Sequence, residues 1–137
     1  MVIARYFGAE IEAIFVSEHD LTGRVEVRWG DDDSASDRMI MATLASDECL
    51  RAFGIPSPHE LHFFGDAVTV MNLLEARFPD DEKGQNRHRE KLELLVGDLL
   101  NQTFIRAAVR DLAGALFEQH SLSGAEAMLF IDQHLLA

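Results

Sequence analysis

The stretch "VIARYFGAEIEAIFVSEHDLTGRVEVRW", residues 2–29, decides the fold because its period changes within a few residues. Val2, Ile3, Tyr6 and Phe7 are apolar at helical spacing, and Gly8 follows as a stop signal. Residues 2–8 therefore read as the last turns of a helix. "IEAIFVS" (11–17) and "GRVEVRW" (23–29) then read as two short strands joined by the turn-rich "EHDLTG" (18–23), which predicts a β-hairpin over residues 10–29. Val25, Val27 and Trp29 alternate with Arg24, Glu26 and Arg28, the mark of a strand with one dry and one wet face.

Beyond this hairpin the pattern is helical. "GDDDSASD" (30–37) is a solvated turn rather than a calcium loop, since it has neither the glycine at the sixth position nor the glutamate at the twelfth that an EF-hand needs. A helix is expected over residues 38–53, closed by Gly54. "IPSPHELHFFG" (55–65) reads as a loop, and a further helix is expected over 66–78, stopped by Pro79. "DDEKGQN" (80–86) reads as a connector into a long helical stretch, 87–118, broken or bent near Gly97–Asn101. In its second half Ile105, Ala108, Val109, Leu112 and Leu116 form a core stripe. Ser123 and Glu126 have the S-x-x-E spacing of a capping box, so a last helix is expected over 124–135. The fold class is mainly α with one small β-hairpin, in a single domain over residues 1–137.

Composition narrows the function classes. The net charge is −12, which argues against nucleic acid and anionic membrane, both of which reward Lys and Arg. No apolar run approaches the roughly 20 residues of a membrane span, and no secretory signal pattern is present. The single cysteine, Cys49, excludes an internal disulfide and fits a reducing, cytoplasmic compartment. It lies in an apolar helical pattern and reads as a small core residue rather than a nucleophile.

Candidate chemistry centres on "HELHFFGD" (59–66). This is not H-E-x-x-H, because His59 and His62 stand three apart rather than four. Were the segment helical, His59, His62 and Asp66 would share an arc of roughly 60°, and three ligands would converge on zinc or another transition metal. Gly65 and the preceding prolines favour a loop instead, with both histidines packed on Phe63 and Phe64. Asp66 also suits a helix N-cap. His19, His88, His120 and His134 are scattered, and no G-x-x-x-x-G-K-[ST] phosphate loop is present.

The ordered set "ARYFGAEIEAIFVSEHDLTGRVEV" (4–27), "IMATLASDECLRAFG" (40–54), "GDAVTVMNLLEARF" (65–78) and "VRDLAGALFEQHSLSGAEA" (109–127) resembles the peptidase domain of FtsH-type zinc metalloproteases and their ATPase-free relatives. In that family a helix bearing H-E-A-G-H runs into a short apolar segment ending in glycine, and a hairpin with a leucine-glycine turn follows. "IMATLASDECLRAFG" is similar to the family's I-x-x-x-L-A-G-x-x-A-E-x-x-F-G, with Ser46 where glycine is usual and Cys49 where small residues sit. "LFEQHSLSGAE" (116–126) fits the L-x-x-x-x-x-L-x-G-x-E that joins the last two helices.

The resemblance implies that Asp66 stands at the position of the family's third zinc ligand. The two histidine ligands and the catalytic glutamate have no counterpart in these residues, and neither does the ATPase module. Catalytic zinc needs three protein ligands and an open position for water, with a base beside it. Asp66 alone is one hard oxygen ligand.

Three readings follow. The first is a non-catalytic remnant of the peptidase fold, acting through a protein partner or as a homo-oligomer, with no cofactor and with Val2, Ile3, Tyr6 and Phe7 as its interface. The second is a zinc metallopeptidase whose H-E-x-x-H lies upstream of Met1. The third is a helical protein binding metal through His59, His62 and Asp66.

Overall fold

A computed structural model of the chain describes residues 1–16, 23–30, 35–52 and 64–135. The elements in order are α1 (Val2–Tyr6), β1 (Glu10–Val16), β2 (Gly23–Arg28), α2 (Ala35–Ala52), α3 (Phe64–Arg77), α4 (Glu82–Leu100), α5 (Thr103–Gln119), β3 (Ser121–Ser123) and α6 (Gly124–Leu135). The protein is mainly helical with one small antiparallel sheet. Its chain divides into two compact units, Met1–Asp32 with Gln102–Ala137, and Asp33–Asn101.

The first unit holds the sheet, in the order β2-β1-β3. β1 and β2 pair antiparallel from Glu10↔Arg28 to Val16↔Gly23, with a bulge between Ile11 and Ala13. The hairpin thus lies where the alternating valines place it, while its turn, including His19, lies outside the described residues. The bulge shifts the pleat by one residue, so Ile11 and Ile14 can both face inward although they are three apart. Both are buried, as is Leu122 of β3, which pairs with Ile14.

Helices α5 and α6 complete this core. Ile105, Ala108, Leu112 and Ala115 are the buried positions of α5, and Gly124, Ala127 and Ile131 those of α6. Val109 and Leu116, also expected in the stripe, are only half-buried. The capping box at the start of α6 is complete. The Glu126 amide donates to Ser123 Oγ at 3.1 Å, and the Ser123 amide donates back to Glu126 Oε1 at 3.3 Å. α6 also comes very close to β1. A Cβ on Gly124 would stand 1.9 Å from the Ile11 carbonyl oxygen, so glycine is required there.

The second unit is helical. Ile40, Met41, Leu44 and Ala45 of α2, Val70 and Leu74 of α3, and Leu92, Val96 and Leu100 of α4 are its buried apolar residues. The i, i+4 recurrence in each helix gives one apolar stripe, and the three stripes form the unit's core.

Three helix starts and one added strand differ from the sequence reading. α4 begins at Glu82 rather than near 87, because the Asp81 carboxylate accepts from the Gly84 amide at 3.0 Å and caps a turn that the glycine had disguised as a connector. α2 begins at Ala35, so Asp37 belongs to its first turn rather than to a loop. α3 begins at Phe64, which makes Asp66 the third residue of the helix and not its cap. The three residues of β3 add a strand beside the expected hairpin. The break in the long helical stretch falls at Asn101–Gln102, next to the expected Gly97–Asn101.

Candidate functional site: a surface aromatic cluster and two ion-pair clamps

The first turn of the chain is where the sequence placed an interface. α1 packs on α5, α6 and β1. Val2 and Ile3, with Ala4, point into that packing and are buried, so these two belong to the unit's own core. Tyr6 faces the other way and is 41% exposed, while Phe7 is half-buried. The Tyr6 ring meets the Phe7 ring edge-on at 5.2 Å, and Phe104 of α5 lies tilted at 6.4 Å from Tyr6. Phe104 is itself 38% exposed. Three aromatic rings therefore share one patch, half-buried at Phe7 and exposed at Tyr6 and Phe104. Such rings present much apolar area with few torsions to freeze, which is what a binding surface rewards.

Beneath the patch the turn is fastened by Arg5. Its Nε donates to Asp132 Oδ1 at 2.8 Å and its Nη2 to Asp132 Oδ2 at 2.7 Å, a bidentate fork into α6. Nη1 also donates to the Ala9 carbonyl at 3.2 Å. The hydrogen-bonded guanidinium holds the Asp132 carboxyl below its usual value, and the same bond raises Arg5.

A second clamp belongs to the other unit. Asp37 Oδ1 accepts from Arg77 Nη1 at 2.7 Å and sits 2.8 Å from His88 Nε2, so one carboxylate joins α2, the end of α3 and α4. The His88 ring is tilted on Phe78 at 5.1 Å. The Asp37 contact and the tilted Phe78 ring hold His88 within the packing of this unit.

The metal-ligand candidates fare differently. His59 and His62 lie outside the described residues. Asp66 is in the first turn of α3. Among the described residues, no group of three or more His, Cys, Asp and Glu could hold a metal ion. Among the same residues, no helix is long and apolar enough to cross a membrane.

Neither clamp was legible beforehand. Arg5 and Asp132 are 127 positions apart, and Asp37 and His88 are 51 apart. Phe104 was likewise missed, because it falls outside the buried stripe of α5. Comparison with known proteins adds nothing to this picture: no family model, no curated protein and no solved structure matches the chain.

Proposed function

We propose that this chain carries the FtsH-type peptidase fold as a protein-interaction module and cleaves no peptide bond on its own. The observation that carries the interaction reading is the Tyr6–Phe7–Phe104 cluster, in which Tyr6 and Phe104 are exposed beside a turn clamped by Arg5. The kinship rests on the ordered motifs quoted above. An acidic chain with one cysteine is in keeping with a cytoplasmic protein whose partner is another protein.

These residues hold no H-E-x-x-H, and Asp66 alone supplies neither the nitrogen ligands nor the base that zinc hydrolysis needs. The test is direct. The chain, purified without a histidine tag, should carry far less than one zinc by elemental analysis and should leave casein intact with or without added zinc. Cleavage abolished by a chelator would overturn the proposal.

One observation favours the zinc-peptidase reading. The helix Val2–Tyr6 is followed by Phe7 and then by Gly8 at φ +90°, as the tail of an H-E-x-x-H helix would be. Translating the codons upstream of Met1 in frame separates the two: an H-E-x-x-H there makes this chain part of a peptidase.

A further inference from the structure

Among the described residues β2 is one edge of the sheet, and its dry face is not fully covered. Val25 pairs with Ile14 and Val27 with Ile11, so all four lie on the inner face. Ile14 is 3% exposed, yet Val25 is 43% exposed. Burial therefore runs out across a single strand spacing. An unpaired edge with an exposed inner valine is a template for one more strand.

The sequence of the edge tells which strand fits. Fold a second β2 antiparallel onto the first about a two-fold axis through Val27. Then Val27 faces its own copy, Glu26 faces Arg28, and Val25 faces Trp29, the residue just past the end of β2, each of the last two pairs occurring twice. Every apolar residue meets an apolar one, and both charge pairs are opposite in sign. Moving the axis to Glu26 would instead set Glu26 against Glu26 and Arg24 against Arg28, which is unfavourable. On the wet face Arg28 already pairs with Glu10 of β1. The partner's copy of the glutamate at position 26 would approach from the opposite side, extending that row of alternating charge.

We infer that β2 is a self-pairing edge, and that a second copy of this chain adds to it in the Val27-centred register to form a continuous six-stranded sheet. This deepens the interaction reading above by naming one partner. It concerns the β2 edge rather than the aromatic cluster and does not depend on kinship with any peptidase, so its failure would leave the interaction reading of that cluster standing.

Two experiments test it on the full chain. In a Cys49→Ser background, Val27→Cys places two thiols across the axis. Directly opposed residues have Cα atoms about 4.5–5.5 Å apart, within disulfide reach. Mild copper–phenanthroline oxidation should give a covalent dimer. Val25→Cys, whose opposite number is Trp29, should give none.

The second experiment swaps charge. Arg28→Glu puts like charges opposite in a self-pair, as does Glu26→Arg, and each should weaken the homodimer about tenfold in sedimentation. An equimolar mixture of the two variants restores both opposite-sign pairs and should form a heterodimer. Circular dichroism shows whether each variant is folded, and the cysteine arm stands if either is not. A wild type that stays monomeric at high concentration, a Val25→Cys chain that cross-links as well as Val27→Cys, or a mixture of folded charge variants that gives no heterodimer would overturn the inference.

Discussion

Arg5 and Asp132 are 127 positions apart and meet through two parallel N–H···O bonds, at 2.8 and 2.7 Å. The pair ties the first helix to the last and fixes the turn that presents Tyr6. Its folded-state effect on Asp132 is a lowered pKa. A carboxyl whose pKa is lower when folded stabilises the fold above its unfolded value and loses that contribution as the pH falls through the folded one. Arg5 stays charged throughout. Between about pH 5 and pH 2, wild type should therefore lose more stability than Asp132→Asn. At pH 7 the variant should be weaker by about 1–2 kcal/mol. Urea unfolding at a series of pH values measures both, and parallel pH curves would show that the fork contributes nothing.

Gly124 should tolerate no side chain. A Cβ there would lie 1.9 Å from the Ile11 carbonyl oxygen and 2.7 Å from that of Glu12, both backbone atoms that cannot swing aside. Gly124→Ala should destabilise by about 1–3 kcal/mol or more, as overpacking does, despite alanine's better helix propensity. Gly114, which has nothing near its Cβ direction inside α5, is the control. Gly114→Ala should stabilise by about 0.5–1 kcal/mol. Equal effects at the two sites would contradict the close packing of α6 on β1.

The aromatic cluster should matter little to stability. Tyr6 and Phe104 are each more than a third exposed, and such ring pairs add about 0.5–1.5 kcal/mol. The double variant Tyr6→Ser/Phe104→Ser should unfold within about 1.5 kcal/mol of wild type. A cost above about 3 kcal/mol would mark the rings as core, and the surface reading would fall.

The sequence disclosed what repeats or pairs locally. The hairpin was legible because Val25, Val27 and Trp29 alternate with Arg24, Glu26 and Arg28 along β2 and just past its end, and the start of α6 because Ser123 and Glu126 cap each other over three positions. β3 was not legible, since three residues are too few to show a period and its pairing with β1 is a long-range event. The first turn of α4 was hidden by Gly84, whose helix-breaking signal is offset by the Asp81 cap. The residues expected at an interface divided in a way no pattern could tell. Val2, Ile3, Tyr6 and Phe7 form one apolar stripe in sequence, but the core takes the first two and leaves Tyr6 in the open. Phe104, the third ring, lies on a different helix, and only tertiary packing brings it there.

The proposal that this chain carries the FtsH-type peptidase fold can be put to the test by adding a zinc helix. A segment bearing H-E-x-x-H is joined in helical register directly before Val2, and zinc per chain is measured by elemental analysis after dialysis. One zinc per extended chain is expected, lost on Asp66→Ala, with far less than one zinc on the chain that lacks the extension. Zinc bound equally well without Asp66, or not bound at all by a folded extended chain, would contradict the proposal.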